Sequence, residues 1–217
     1  MFNSANYVRT QGDLTLAYAG SGGRFRPLGG KHFFLFFGEY RGDSMPITGR
    51  DLQAPLGYPS YEGYPLRASV IAQNPDPNAQ YLEVGTGMGE FIYHLVVSQK
   101  CIHRPIIIDP IDYNLLALLL EEINHFVDND NHKIELEQLN KRVRLYQQQN
   151  LVDHRKITLL QAVEHQDLQG SMDVVVDNYG PSYWDKWSNP SPLELEGRLL
   201  KPDGQLIFNE GAPKEKI

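Results

Sequence analysis

The residues best suited to chemistry lie in one short stretch, residues 81–91, with the sequence YLEVGTGMGEF. It opens with a short apolar run that contains one acid, Glu83, and an apolar-periodic segment begins at Phe91. Between them stand three alternate glycines, Gly85, Gly87 and Gly89. This order predicts a buried strand, a tight turn and a helix. Glycine lets backbone approach a ligand closely, and the first helical N–H groups point at the same spot, so we expect a nucleotide-like ligand.

The spacing of the glycines narrows the kind of ligand. The dinucleotide fingerprint is G-x-G-x-x-G, whereas this chain has G-x-G-x-G with Glu90 where the third dinucleotide glycine would stand. Glu83 would repel a pyrophosphate at short range and would attract an ammonium or sulfonium group. The pattern therefore favours a ligand that carries a positive charge.

The E-x-G-x-G-x-G stretch resembles motif I of the class I S-adenosylmethionine-dependent methyltransferases. In that family the acid lies near the methionine end of the cofactor, and the glycines let the cofactor lie flat on the turn. The resemblance implies S-adenosylmethionine as the cofactor, bound by Glu83, Gly85, Gly87 and Gly89. The alternative is a strand-to-helix connection that binds no ligand.

A second acid follows the next predicted strand. Asp109 ends the apolar run Ile106–Ile108 and stands 20 residues beyond Gly89. An acid at about this spacing can accept hydrogen bonds from both ribose hydroxyls. The family resemblance adds an apolar contact to the adenine, which Pro110 would supply. The alternative is an acid that only ends a strand.

Residues 157–160 predict a third strand, followed by Gln161 and Ala162. In the methyltransferase pattern an acid after this strand often holds the adenine amino group. Gln161 departs from that pattern, although its side-chain carbonyl can accept the same hydrogen bond. Glu164 is a rival for the role.

The fourth predicted strand ends at Asp177, and the sequence continues as NYGPSYW. Ligands of doubly wound sheets bind outside the carboxyl ends of the strands, so Gly85 and Asp177 should face the same cleft. We expect Asp177 to border the cofactor and to act as a base or to orient the substrate, with Tyr179 and Tyr183 shaping the pocket. The stretch is loosely similar to motif IV of amino-directed methyltransferases but lacks the double proline. The alternative is a turn with packed aromatic residues.

Leu200–Leu206 resembles the late leucine, lysine, proline, x, glycine turn of the same family, and strand five follows at residues 205–208. The landmarks cover about residues 65–209 in the family order. The resemblance implies an α/β fold with a doubly wound, mostly parallel Rossmann-like sheet and helices on both faces.

The N-terminal segment has a different pattern. Residues 13–20 and 31–39 predict two strands, which we expect to form a β-hairpin extension, and residues 43–60 predict an irregular linker. The predicted domains are residues 1–64, the extension, and residues 65–217, the cofactor-binding domain. Because only nine residues follow Phe208, we expect the C-terminal strand pair that is usual in this family to be absent. We therefore expect the hairpin to cover the edge of strand five.

Composition limits the partners. The formal net charge of −7 argues against a large nucleic-acid footprint and favours a small molecule or a protein as substrate. No apolar run approaches the ~20 residues that span a bilayer, and the first ten residues lack the apolar core of a signal peptide. The single cysteine, Cys101, fits a reducing cytoplasm, where we expect the protein to act. The sequence does not predict an oligomeric state.

A metal-dependent form of the methyltransferase is a further alternative. Metal-dependent catechol-type methyltransferases place an acid after strand four and an acid–amide pair after strand five. Asp177 holds the first place here, and Asn209 with Glu210 holds the second in reversed order, a set of oxygen ligands that suits Mg²⁺. The simpler interpretation is two turn residues, so no metal is predicted.

The sequence therefore predicts a methyltransferase with an unidentified acceptor. One alternative is an aminopropyltransferase similar to spermidine synthase, a family that shares the N-terminal β segment and the glycine turn. Another is a catalytically silent module that binds S-adenosylmethionine or a partner.

Overall fold

The computed structural model describes residues 7–12, 14–19, 33–38, 48–51, 66–127, 130–178, 180–184 and 188–208. The chain forms two compact units. The first contains Met1–Glu62 and Ile111–Gln147, and the second contains Gly63–Pro110 and Gln148–Ile217. Residues 111–147, which the sequence placed in the second domain, thus group with the N-terminal segment. The expected domain boundary after residue 64 stays a prediction.

The elements are numbered along the chain. The strands are β1 (Tyr7–Gln11), β2 (Leu14–Ala19), β3 (Phe33–Gly38), β4 (Thr48–Asp51), β5 (Tyr81–Val84), β6 (Ile106–Ile108), β7 (Asp153–Arg155), β8 (Met172–Asp177) and β9 (Leu200–Phe208). The helices are α1 (Leu66–Gln73), α2 (Phe91–Val97), α3 (Tyr113–Ile123), α4 (Asp130–Tyr146), α5 (Leu159–Ala162), α6 (Pro181–Trp184) and α7 (Pro192–Leu199). None of the helices in the described ranges combines the length and the apolar character that crossing a membrane requires.

The second unit is built on a parallel sheet with strand order β7-β6-β5-β8-β9. The chain starts this sheet at β5, adds β6 and β7 on one side, and then adds β8 and β9 on the other. The carboxyl ends of β5 and β8 therefore flank the switch point of a doubly wound sheet. This confirms the predicted Rossmann-like α/β fold.

Burial explains why these segments become strands. All residues of β5 and β6 are buried, and β8 is buried except for Asp173. Because successive strand residues point to opposite faces, both faces of these strands are covered, as parallel sheets require. The core gathers their apolar side chains with Leu159 of α5 and Leu195 and Leu199 of α7. Fully burying one such side chain stabilises the fold by about 1.5–3 kcal/mol.

The first unit has a four-stranded sheet of order β1-β2-β3-β4, and α3 packs on β1 and β2. The predicted hairpin between residues 13–20 and 31–39 is wrong, because β2 and β3 pair in parallel. The antiparallel partner of β2 is β1, and Gly12 turns the chain between them with a φ of +56°. A two-residue connection suits an antiparallel pair, whereas residues 20–32 are long enough for a parallel crossover.

The described strands of this sheet do not pair with β9, which ends the parallel sheet. The proposed covering of that edge by the N-terminal extension stays a prediction. β9 itself begins at Leu200, earlier than expected, and its pairing with β8 is irregular between Met172 and Val174. The predicted turn of residues 201–204 is therefore a bulged part of the strand.

The predicted third strand is also wrong. β7 is Asp153–Arg155, and the second half of the expected strand, Leu159 and Leu160, belongs to α5, which Thr158 caps. The reason is a capping box, in which the Gln161 amide donates to Thr158 Oγ1 at 3.3 Å and the Thr158 amide donates to Gln161 Oε1 at 2.9 Å. Leu159 and Ala162 are buried, which is the spacing of a helical face rather than a strand.

The capping box predicts the effect of changing Thr158. Thr158→Val keeps the β-branched shape but removes the hydroxyl, so the free energy of unfolding should fall by about 1 kcal/mol, as measured by urea denaturation. Thr158→Ser keeps the hydroxyl and should have the stability of the wild type. A strand would accept valine readily, so an unchanged or raised stability of the Val variant would contradict the helix.

Candidate functional site

The glycine stretch forms the strand–turn–helix unit that the sequence predicts. β5 ends at Val84, and the Gly85 amide donates to the carbonyl of Ile108 at 2.9 Å. Gly85 and Gly87 have φ angles of +65° and +53°, in the left-handed region that favours glycine. The Gly89 amide donates to the carbonyl of Thr86 at 2.7 Å and closes the turn before α2.

Asp109 is joined directly to this turn. Its Oδ2 accepts the Gly87 amide at 2.6 Å, and its side chain is buried. Its backbone carbonyl lies 3.0 Å from His154 Nε2. The carboxylate after β6 is thus fixed against the backbone of the glycine turn, and the half-buried Pro110 follows it.

Asp177 is completely buried at the end of β8, opposite Val84 in the pairing register. Its Oδ1 accepts the Gly180 amide at 2.7 Å, and its Oδ2 accepts the Ser182 amide at 2.8 Å. Both oxygens therefore hold the turn that leads into α6. This geometry suits a residue that orients the turn better than an exposed base.

The turns after β5 and β8 touch each other. A Cβ added to Gly85 would lie 3.0 Å from Gly180 Cα and 3.1 Å from Pro181 Cδ. A Cβ added to Gly180 would lie 2.6 Å from Asp177 Oδ1 and 2.8 Å from the Val84 carbonyl oxygen. The prediction that Gly85 and Asp177 face the same region thus agrees with the contact between their turns.

Other predicted site residues are placed differently. Gln161 uses its side-chain oxygen in the capping box of α5, and Ala162 is buried in the core. Tyr179, Asn209 and Glu210 lie outside the described residues, and only the backbone of Tyr183, in α6, is described. The roles predicted for these residues stay predictions.

The region is rich in buried acids. Five acids in or next to the elements that meet here are at most 4% exposed: Glu83, Glu90, Asp109, Asp177 and Glu196. Buried carboxylates close to a ligand favour a cation and disfavour a pyrophosphate.

Sequence reasoning missed Glu196. It lies on α7 with Pro192, Leu195 and Leu199 on the buried face, and burial followed by the neighbouring Asp177 raises its pKa to about 10. A signal was available, because Glu196 is four residues after Pro192 and three before Leu199, which places an acid on the apolar helical face.

A cavity of about 270 Å³ lies elsewhere, at the amino ends of β5, β6, β8 and β9. Its lysine and arginine are engaged, since Lys201 Nζ lies 2.7 Å from Asp173 Oδ2 and Arg155 Nη2 lies 2.6 Å from Asp167 Oδ2. Ligands of parallel sheets bind at the opposite, carboxyl end. We therefore retain the glycine turn as the candidate site.

Among the described residues, no group of three or more His, Cys, Asp or Glu side chains is arranged to hold a metal ion.

No family model matches the sequence, and no curated protein matches it. Among solved structures, the chain is similar to the crystal structure of a ribosomal protein L11 methylase from Lactobacillus delbrueckii subsp. bulgaricus. The identity is 14%, the TM-score is 0.37, and the match covers 94% of this chain and 80% of that one. A likeness at this level says nothing about activity.

Because the turns after β5 and β8 are in contact, adding one methyl group at Gly85 should strongly lower the stability of the fold. Gly85→Ala should lower the free energy of unfolding by more than about 1 kcal/mol, because alanine is strained at this φ and its Cβ meets backbone. Gly197→Ala is the matched control, since nothing lies within 4 Å of a Cβ added there and the residue is helical. The control should be stabilised by up to about 1 kcal/mol. Equal urea midpoints for the two variants would contradict the packing.

Proposed function

We propose that the protein is an S-adenosylmethionine-dependent methyltransferase that acts on a small molecule or a protein side chain. The observation that supports this best is the glycine turn after β5, whose Gly87 amide donates to the buried Asp109. The turn stands at the switch point of a doubly wound sheet, where such folds bind nucleotide-like ligands.

The charge of the site fits the cofactor. S-adenosylmethionine carries a sulfonium and an ammonium group, and both are stabilised by nearby carboxylates. Glu83, in the strand before the turn, would lie toward the methionine end. Gly85, Gly87 and Gly89 would let the ligand approach the backbone, because no Cβ stands in the way.

Asp109 would hold the ribose. The Gly87 amide fixes one of its oxygens, which orients the carboxyl group without using all its acceptor capacity. Pro110 would contact the adenine. Gln161 and Ala162 remain candidates for the far side of the adenine, although the capping box engages the Gln161 side chain.

Methyl transfer from a sulfonium is an in-line displacement, and the bound cofactor supplies the methyl group. The protein then has to align the acceptor and exclude water. Asp177 would contribute by holding the turn of residues 177–182 through its two backbone contacts, and Tyr179 and Tyr183 would shape the acceptor pocket. No metal is assigned a role.

The net charge of −7 favours a small-molecule or protein acceptor over a nucleic acid, and a cytoplasmic setting stays a prediction.

Aminopropyl transfer is the second candidate function. The buried acids Glu83 and Asp109 favour it, because its amine acceptor is cationic and decarboxylated S-adenosylmethionine carries no carboxylate. A silent binding module is the third, and turnover with any acceptor would exclude it.

The proposal predicts selective binding in titration calorimetry with S-adenosylmethionine, its demethylated product, the decarboxylated form and NAD. The first two should bind, and NAD should not. Asp109→Asn keeps an acceptor for the Gly87 amide but removes the charge, so the affinity should fall about tenfold, the equivalent of about 1.4 kcal/mol. Asp203→Asn, at an exposed position, is the control and should bind as the wild type does.

Preference for the decarboxylated form would favour aminopropyl transfer instead. Absence of binding by all four compounds would mean that the glycine turn is structural, and the proposed function would be wrong.

A further inference from the structure

Glu196 is a buried acid that the proposed reaction does not use. Its side chain has 0% exposure on α7, a helix that begins with a capping box between Ser191 and Glu194. Neither of its oxygens accepts a hydrogen bond from a donor among the described residues. An ionised carboxylate in such a place would be strongly destabilising, because water is excluded and nothing replaces it.

Asp177 ends β8, one of the elements that pack on α7, and its charge acts on the Glu196 carboxyl group. Two carboxylates are both acceptors and cannot hydrogen-bond to each other, whereas a protonated carboxyl group donates to an ionised one. Asp177 already accepts one backbone N–H on each oxygen, and each oxygen has a second lone pair. A proton on Glu196 therefore gives one of its oxygens a partner in Asp177 and removes its charge, in agreement with the pKa of about 10 that burial and Asp177 give it.

Asp177 is the charged group that acts on Glu196. The elements packed on α7 are α5, α6, β8 and β9. The sequence of α5 is LLQA, without a titratable side chain, and the described side chains of α6 contribute none. On β8 and β9, Asp173 and Lys201 pair with each other, and Asp203 is exposed.

A chain of contacts connects Glu196 and Asp177 to the glycine turn. Glu196 supports Asp177, Asp177 holds the amides of Gly180 and Ser182, and Gly180 packs against Gly85. We propose that Glu196 is a positioning residue, which as a neutral carboxylic acid donates to Asp177 and thereby fixes the turn of residues 177–182 against the glycine turn.

This inference concerns the turn that borders the proposed cofactor site, and in that respect it rests on the proposed function. Its test needs no ligand, so it can succeed or fail independently of methyl transfer. The positioning role predicts that a side chain able to donate a hydrogen bond is sufficient at position 196.

Amide hydrogen exchange at Gly180 and Ser182, followed by NMR at pH 7, measures how firmly the turn is held. Glu196→Gln replaces the acid by an amide donor of the same shape, so exchange should remain within about twofold of the wild type. Glu196→Leu keeps most of the volume but removes the donor, and exchange should become about tenfold faster at these two amides. Glu164→Gln, at an exposed position, is the control and should change neither rate.

Equal exchange rates in the Gln and Leu variants would overturn the proposal, because a purely packing role does not depend on a donor. If the Leu variant does not fold, accelerated exchange in the Gln variant alone would overturn it too. Protection retained by Glu196→Gln, with loss or unfolding in Glu196→Leu, supports the donor role.

The proton also predicts a pH dependence. In the unfolded chain Glu196 loses its proton near its ordinary pKa of 4.5, whereas the folded chain retains it up to about 10. The unfolded state therefore binds fewer protons across this window, and the stability that Glu196 contributes falls as the pH rises from 4.5 to 10.

Glu196→Gln carries no such proton, so its melting temperature relative to that of the wild type should rise steadily between pH 5 and 9. The comparison of the two proteins cancels the other titrating groups. A constant difference across this range would show that the acid is ionised in the folded protein and would overturn the shared proton.

Discussion

The candidate site depends on the contact between two backbone turns. Gly85 and Gly180 stand at the carboxyl ends of adjacent strands, and a Cβ on either would collide with the other turn or with the strand end. Asp177 accepts the Gly180 amide and so holds the turn after β8, while Asp109 accepts the Gly87 amide and so holds the turn after β5. The parallel pairing of β5 with β6 and β8 brings the segments that follow these three strands to one edge of the sheet.

A second constraint is electrostatic. Several acids at this edge are buried, and a buried carboxylate is stable only where its charge is neutralised or its oxygens are hydrogen-bonded. Asp177 uses backbone amides, and Glu196 uses a proton. A cationic cofactor would add a third means of neutralising the buried acids near the proposed site.

The sequence predicted the parts in which local and tertiary signals agree. β5, β6 and β8 are apolar runs in a parallel sheet, and the glycines that follow β5 are required by its left-handed turn. The prediction failed where a short apolar run was ambiguous. Residues 157–160 have strand-like composition, yet the Thr158–Gln161 capping box starts a helix there. The parallel pairing of β2 and β3 was missed because the direction of pairing is not encoded in either strand alone.

The role of Glu196 was also beyond local reasoning, because it depends on a neighbour 19 positions away in the sequence, at the end of another strand. The end of the fourth predicted strand indicates Asp177 as a candidate, but its burial and its two backbone partners come from the folded turn. The sequence thus predicted a candidate site, and the packing of the turns after β5 and β8 shows which of its acids hold backbone amides.

The most direct measurement is a map of backbone amide shifts by ¹⁵N NMR during titration with S-adenosylmethionine. The central claim is that the ligand binds at the carboxyl edge of the sheet, so the amides of residues 85–90 and Gly180 should shift together and saturate with one binding curve. Shifts confined to Gln80, Ser171 and Asp173 would place the ligand in the cavity at the opposite edge and would contradict the claim. A spectrum without shifts would contradict it as well.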